Sequence, residues 1–320
     1  MRYTICLAAC LIFFLANFIN AQSIERQVIA ASGNFDTTAN LQVSWTLGET
    51  VIETFSNSSI TLTQGFQQPD ISQIIRLDIQ VFLQGPYDES SQLMHDSLRS
   101  QGEIPSDEPY SSLGFLHIFN GGGESIDPAI LNQTGDDGIV DWVFVELRDE
   151  NDNSNIIATR SALVQRDGDV VDVDGSSSLS FTDLEEGNYF VAVRHRNHLG
   201  AMTQSVHGLS KTAVTIEFPN PALTTFGTEA QSTLSGVRML WAGNVVADEL
   251  LKYAGLDNDR DEILVRIGGL VPTNTEAGYY SEDANLDGNS KYAGLNNDRD
   301  IILVNIGGTI STAVRFEELP

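Results

Sequence analysis

Between residues 22 and 220, apolar and polar residues alternate, or β-branched residues cluster, in short runs. Residues 22–72 give four such runs, Gln27–Ala31, Leu41–Leu47, Thr50–Phe55 and Ser59–Thr63. Turn signals stand between them at Gly33-Asn34, Gly48 and Asn57-Ser58, which predicts a small N-terminal β module. Residues 73–220 give longer runs: Ile75–Leu83, Ile139–Leu147, Ile156–Val164, Leu179–Phe181, Tyr189–Arg194 and Ala213–Phe218. The intervening stretches Asp149–Asn155 and Asp167–Gly175 are rich in turn residues, and a helical period shows only around Ser91–Ser100. The pattern predicts a mainly β chain with a central antiparallel β-sandwich.

Within that sandwich Glu186-Gly187-Asn188-Tyr189, followed by Val191 and Val193, resembles a tyrosine corner. The resemblance implies an immunoglobulin-like or transthyretin-like topology. Residues 221–235 read as a linker. From 236 to 320 the pattern changes, because the chain repeats itself. Residues 252–269 and 291–308 are identical at 15 of 18 positions, differing only at 257/296, 262/301 and 266/305. Two of the chain's three lysines, Lys252 and Lys291, are equivalent positions in this repeat.

Each copy ends in a short amphipathic helix. Asn297 is a good N-cap, Asp298 and Asp300 place negative charge in the first turn, and Gly307-Gly308 stops the helix. Ile302, Leu303 and Ile306 share one face, as do Ile263, Leu264 and Ile267 in the first copy. Helices of this length are unstable alone in water, so the two apolar faces are expected to pack together.

The second helix is preceded by Asp283-Ala284-Asn285-Leu286-Asp287-Gly288-Asn289, the D-x-N-x-D-G opening of an EF-hand-type loop. Calcium requires roughly six to eight hard oxygen ligands. Side chains at loop positions 1, 3 and 5 supply them from Asp283, Asn285 and Asp287, and Asn289 offers a backbone carbonyl. Position 12 is Gly294, which has no side chain to offer. The last carboxylate must therefore come from the helix start, at Asp298 or Asp300. The spacing Asn297-x-x-Asp300 reproduces positions 9 and 12 and favours Asp300. The expected metal set is Asp283, Asn285, Asp287, Asn289, Asn297 and Asp300. In the first copy Asn244, Val246, Asp248 and Glu249 stand at the corresponding places. Valine has no ligand atom and Glu249 replaces the turn glycine, so a weak site or none is expected there.

Composition narrows the function. The 320 residues carry 44 acidic and 17 basic side chains, a net charge of −27. Such a chain does not suit nucleic acid, which is bound by exchanging counterions for Lys and Arg, nor an anionic membrane surface. Residues 1–21 combine Arg2 with an apolar run from Ile5 to Ile19 and a small-residue exit at Asn20-Ala21. This is the pattern of a secretory signal peptide. Both cysteines, Cys6 and Cys10, fall inside it, so no disulfide is expected after its removal. No further apolar stretch has membrane length. The expected location is secreted or at the cell surface.

The paired loop-helix units look like a dockerin-type calcium repeat. More broadly, Val81–Asp88, Val140–Val143, Arg166–Asp169, Val193–Gly200 and Arg315–Pro320 resemble a family of secreted Bacteroidota surface proteins labelled haemagglutinin-like or dockerin-like. That resemblance implies export and calcium and gives no established enzymatic activity. The expected role is non-catalytic adhesion, or protein or glycan binding. The alternative, suggested by the dockerin likeness, is an accessory or catalytic component of polysaccharide breakdown. No G-x-S-x-G, HExxH or cysteine nucleophile is present. His195 and His198 are three apart, and strand geometry is expected to point them to opposite faces. Asp167, Asp169, Asp172 and Asp174 read as an acidic hairpin loop.

Overall fold

The structure is a computed structural model that describes residues 73–320 throughout, and before them only the backbone of four strands. The signal-peptide segment and the expected strand Gln27–Ala31 lie outside the described residues. The chain divides into two compact units, Met1–Ile71 and Ser72–Pro320. In the first, β1 (Ser32–Thr38) pairs antiparallel with β2 (Leu41–Leu47), and β3 (Thr54–Ser56) with β4 (Thr61–Thr63). Gly33-Asn34, expected as a turn, lies inside β1 and pairs with Trp45 and Thr46.

The second unit is mainly β. β5 (Ile74–Gln80) leads into a small hairpin, β6 (Tyr87–Asp88) and β7 (Leu93–Met94), and a one-turn helix, Ser97–Gln101. Eight more strands follow: β8 (Ile139–Asp149), β9 (Ile156–Gln165), β10 (Asp169–Val171), β11 (Leu179–Thr182), β12 (Gly187–His195), β13 (His198–Met202), β14 (His207–Leu209) and β15 (Val214–Glu217). With β5 they form a nine-stranded sheet in the order β11-β5-β10-β9-β8-β12-β13, with β14 also on β12 and β15 on β5. Every pairing is antiparallel except β15 with β5. The alternating runs become strands as read. The acidic stretch 167–175 is more than a loop, since Asp169 opens β10 and pairs with Gln80.

β8 is buried along almost its whole length, so both faces of the sheet are covered at its centre. Phe144 stacks against Tyr110, Phe115 and His117 from the excursion before β8. The Tyr110 hydroxyl donates to the Trp142 carbonyl at 2.8 Å. Tyr189 donates its hydroxyl to the Glu185 carbonyl at 2.8 Å, the bond that makes a tyrosine corner.

The remaining elements are β16 (Gln231–Leu234), β17 (Val237–Leu240), β18 (Leu250–Lys252), the helix Asp259–Arg266, β19 (Thr275–Ala277), β20 (Asn289–Lys291), the helix Asp298–Asn305 and β21 (Val314–Phe316). Residues 221–235, expected as a linker, contain β16 and belong to the same compact unit as the sheet. The two repeat helices share a small core of Ile263, Ile302 and Ile306 with Val245, Leu251 and Leu199. Leu199 comes from β13, so the repeat pair closes its apolar face partly against the sheet. Burying each isoleucine contributes about 1.5–3 kcal/mol. No described helix is long and apolar enough to cross a membrane.

Candidate metal centre

The loop before the second helix is built by hydrogen bonds that turn its acids inward. Asp283 Oδ1 accepts from the Asp287 amide at 3.0 Å, and Oδ2 from the Gly288 amide at 2.7 Å. Asn285 Oδ1 accepts from the Asp287 amide at 2.8 Å, and Asp287 Oδ1 from the Asn289 amide at 3.0 Å. These side-chain-to-backbone bonds curl the chain into successive Asx turns. Gly288 sits at φ 86°, where a glycine costs least. A Cβ there would also meet the Gln101 amide at 2.6 Å. The D-x-N-x-D-G residues therefore fold into one loop.

The helix-borne carboxylate brought to this loop is Asp298, and the favoured Asp300 lies elsewhere. Asp298 is fully buried. Its Oδ1 accepts from the Asn285 amide at 3.1 Å and its Oδ2 from the Lys291 amide at 2.7 Å. Asp300 is exposed, pairs with Arg299 at 2.9 Å and receives the Asn297 amide group at 2.8 Å. Asn297 caps the helix, with Oδ1 accepting from the Asp300 amide at 3.0 Å. It is a capping residue whose side chain is committed to the helix. The position 9 to 12 spacing misled because the helix starts immediately after Asn297, which turns residue 300 to the solvent side.

Electrostatics separate Asp283 and Asp298 from the other acids. Burial pushes the Asp298 carboxyl up to about 8, with the Asp283 charge adding to it. Burial likewise raises Asp283 to about 6, opposed by the charge of Arg196. The only ion pair within the loop is Lys291 Nζ with Asp287 at 2.6 Å. Asp300, by contrast, is lowered by its hydrogen bond from Asn297. Asp283 and Asp298 are thus both buried and near enough for the Asp283 charge to act on Asp298, while no group of three or more Asp, Glu, His or Cys among the described residues is gathered closely enough to hold a metal ion as they stand.

The first copy keeps one half of this arrangement. Asp259 is fully buried and accepts from the Val246 amide at 3.1 Å and the Lys252 amide at 2.7 Å. These are the equivalents of the Asp298 bonds. The other half is gone, since Asn244 donates to the Asp248 carbonyl at 2.6 Å where Asp283 would accept. Glu249, which replaces the turn glycine, does not take a positive φ; the left-handed residue of this loop is Ala247, at φ 58°. Burial raises Asp259 to about 7.

Both loops are held by the sheet. Asn197, in the tight turn between β12 and β13, donates its side-chain amide to the Ser281 carbonyl at 3.0 Å and the Asp283 carbonyl at 2.7 Å. Its own carbonyl accepts from the Gly243 and Asn244 amides, each at 3.0 Å. Gln101 donates to the Asp287 carbonyl at 2.7 Å, and Arg196 donates to the Tyr280 carbonyl. Arg196 is fully buried and meets Asp141 at 3.0 Å. Burial disfavours the Asp141 charge, but Arg196, His195 and Tyr279 outweigh it and hold the carboxyl well below its usual range.

The expectation that His195 and His198 point apart is corrected by the turn between them. They pair directly across it, with Nδ1 atoms 2.9 Å apart. His195 Nε2 faces Asp141 at 3.1 Å and His198 Nε2 faces the Gln84 carbonyl at 2.7 Å. All their nitrogens are occupied and both rings are buried, so the cluster is an interior brace. Sequence reading missed Asn197 and Gln101, whose roles depend on contacts 86 and 186 residues away. No local pattern announces such pairs.

Comparison with known proteins finds no family model, no curated protein and no solved structure that matches this chain.

Proposed function

We propose that this is a secreted, calcium-binding surface protein with a non-catalytic recognition role, in adhesion or in binding a surface protein or glycan. The observation that carries the calcium reading is geometric: Asp283 and Asp298 are both buried at a loop whose Asp and Asn side chains are turned onto its own backbone amides. Burying one acid beside another makes their charged forms costly, and Arg196 offsets this only in part at Asp283. A hard divalent cation supplies the compensation, and all the available donors are oxygens. Asp283, Asn285, Asp287, Asp298 and the Asn289 carbonyl would hold it. When bound, calcium neutralises the acids and ties the loop to the helix start. Asn197, Arg196 and Gln101 keep the loop preorganised from the sheet side. Supporting the non-catalytic part, the histidine and Asp141 cluster is sealed from solvent.

Thermal unfolding of the full chain in calcium and in EGTA tests the reading. At calcium 100-fold above Kd the folded state gains about 2.7 kcal/mol. A unit of this size shifts by about 2–4 °C per kcal/mol. Because loop and sheet belong to one compact unit, the transition of the whole Ser72–Pro320 unit should move. A melting curve indifferent to calcium would refute the assignment.

A further inference from the structure

Beside the metal loop lies an open cleft of about 730 Å³, walled by residues 84–89 on one side and by the second repeat on the other. Its volume falls within the range of about 300–1,000 Å³ common for small-ligand sites. Tyr87 lines it, with its ring 4.8 Å from that of Phe82. Asn285 and Asp287 of the metal loop also line it.

The two repeat copies offer an internal control. They differ at three positions of the 18-residue match, and all three second-copy residues, Asn296, Ile301 and Asn305, line this cleft. Each difference removes a charge: Asp257 becomes Asn296, Glu262 becomes Ile301, and Arg266 becomes Asn305. Asn305 has a packing role, since it bonds Gln84 at 2.7 Å and the Ala242 carbonyl at 2.8 Å. Asn296 is exposed and Ile301 only half-buried, and neither makes a side-chain hydrogen bond that would require the change.

We propose that this cleft binds a neutral oligosaccharide. The inference rests on the recognition reading above and gives it a site and a ligand class. A tyrosine ring, an isoleucine and side-chain amides in the lining suit a ligand with apolar ring faces and uncharged hydroxyls. Asp88 and Glu89 line the cleft without any lining Lys or Arg, so an acidic sugar is repelled. A cationic peptide is disfavoured by the same control, because it would gain from the Asp and Glu that the second copy has lost.

The test is calorimetric titration of the full chain in calcium with lactose, mannotriose, cellotetraose and xylotriose. Trigalacturonic acid and a Lys-Leu-Lys-Leu peptide serve as charged probes. At least one neutral sugar should bind and both charged probes should not. The double variant Asn296→Asp/Ile301→Glu should weaken binding at least tenfold. It installs side chains that the twin helix already carries, so the helix should persist, as an unchanged melting curve would show. The mirror variant Asp257→Asn/Glu262→Ile should leave sugar binding unchanged. Binding of no neutral sugar, preference for either charged probe, or indifference to the Asn296/Ile301 pair would overturn the proposal. A parallel calcium titration separates the two readings. Intact calcium binding without sugar binding sinks the cleft alone, whereas loss of calcium binding sinks the metal assignment.

Discussion

The two repeats carry nearly the same helix on different loops. Asn258 and Asn297 both cap, with Oδ1 accepting from the amide three residues on at 3.1 and 3.0 Å. Ile263 and Ile302 both fill the shared core. Asp259 and Asp298 both lock the preceding loop through two backbone amides. The difference sits where Asp283 accepts two amides and Asn244 instead donates to a carbonyl. Identity between the copies therefore tracks the architecture, while the short stretch before each helix sets which buried acids meet at the loop. An aspartate present in both copies is a structural lock first, and becomes a candidate ligand only beside a second buried acid.

The largest effect should come from the residue that serves both copies. Asn197→Ala removes two buried donors to the second loop and leaves their carbonyls unpaired. We expect a loss of about 2–4 kcal/mol, from unsatisfied buried groups, measured by urea unfolding. A loss below 1 kcal/mol would mean the loops stand without the sheet.

Next comes the contrast between equivalent loop acids. Asp287→Ala should abolish the stabilisation by calcium, about 2.7 kcal/mol at 100-fold excess over Kd. Asp248→Ala should leave it intact. Equal losses in thermal shift assays would erase the distinction between the loops.

The pH dependence follows from the raised acids. A carboxyl whose folded value lies above its unfolded value of about 3.9 stabilises the fold while protonated, and that contribution is lost as pH rises through the folded value. In EGTA, stability should therefore fall between pH 4 and 8 as Asp283, at about 6, and Asp298, at about 8, ionise. Calcium should remove their share of the slope and leave the part due to Asp259, at about 7. On the proposed assignment calcium would displace the Asp298 proton, so binding at pH 7 should release about one proton. Calorimetry in buffers of different ionisation enthalpy reads that number directly.

The smallest effect is expected at Asp300. Asp300→Ala should cost only the helix-terminus charge, about 0.3–1 kcal/mol, and leave calcium binding in place.

Much of this architecture was legible in the sequence, for local reasons. The runs at 139–147, 156–164 and 179–181 became strands because alternation and β-branching are properties of the segment itself. The caps at Asn258 and Asn297 are set by the three residues that follow them. The D-x-N-x-D-G loop folds through bonds no more than five residues apart. What failed to show was tertiary. The choice of Asp298 over Asp300 depends on which helix face meets the loop. The histidine pairing depends on a turn at Arg196-Asn197, just past the run Tyr189–Arg194 that reads as strand. The joining of sheet and repeats depends on Asn197, Gln101 and Leu199, which are unremarkable in sequence.

The most direct test of the central claim is the stoichiometry of calcium binding to the full chain, measured by titration calorimetry for the wild type, Asp298→Asn and Asp300→Ala. One site per chain is predicted, lost in Asp298→Asn and retained in Asp300→Ala. Two equal sites, or a site that survives Asp298→Asn and disappears in Asp300→Ala, would contradict the account.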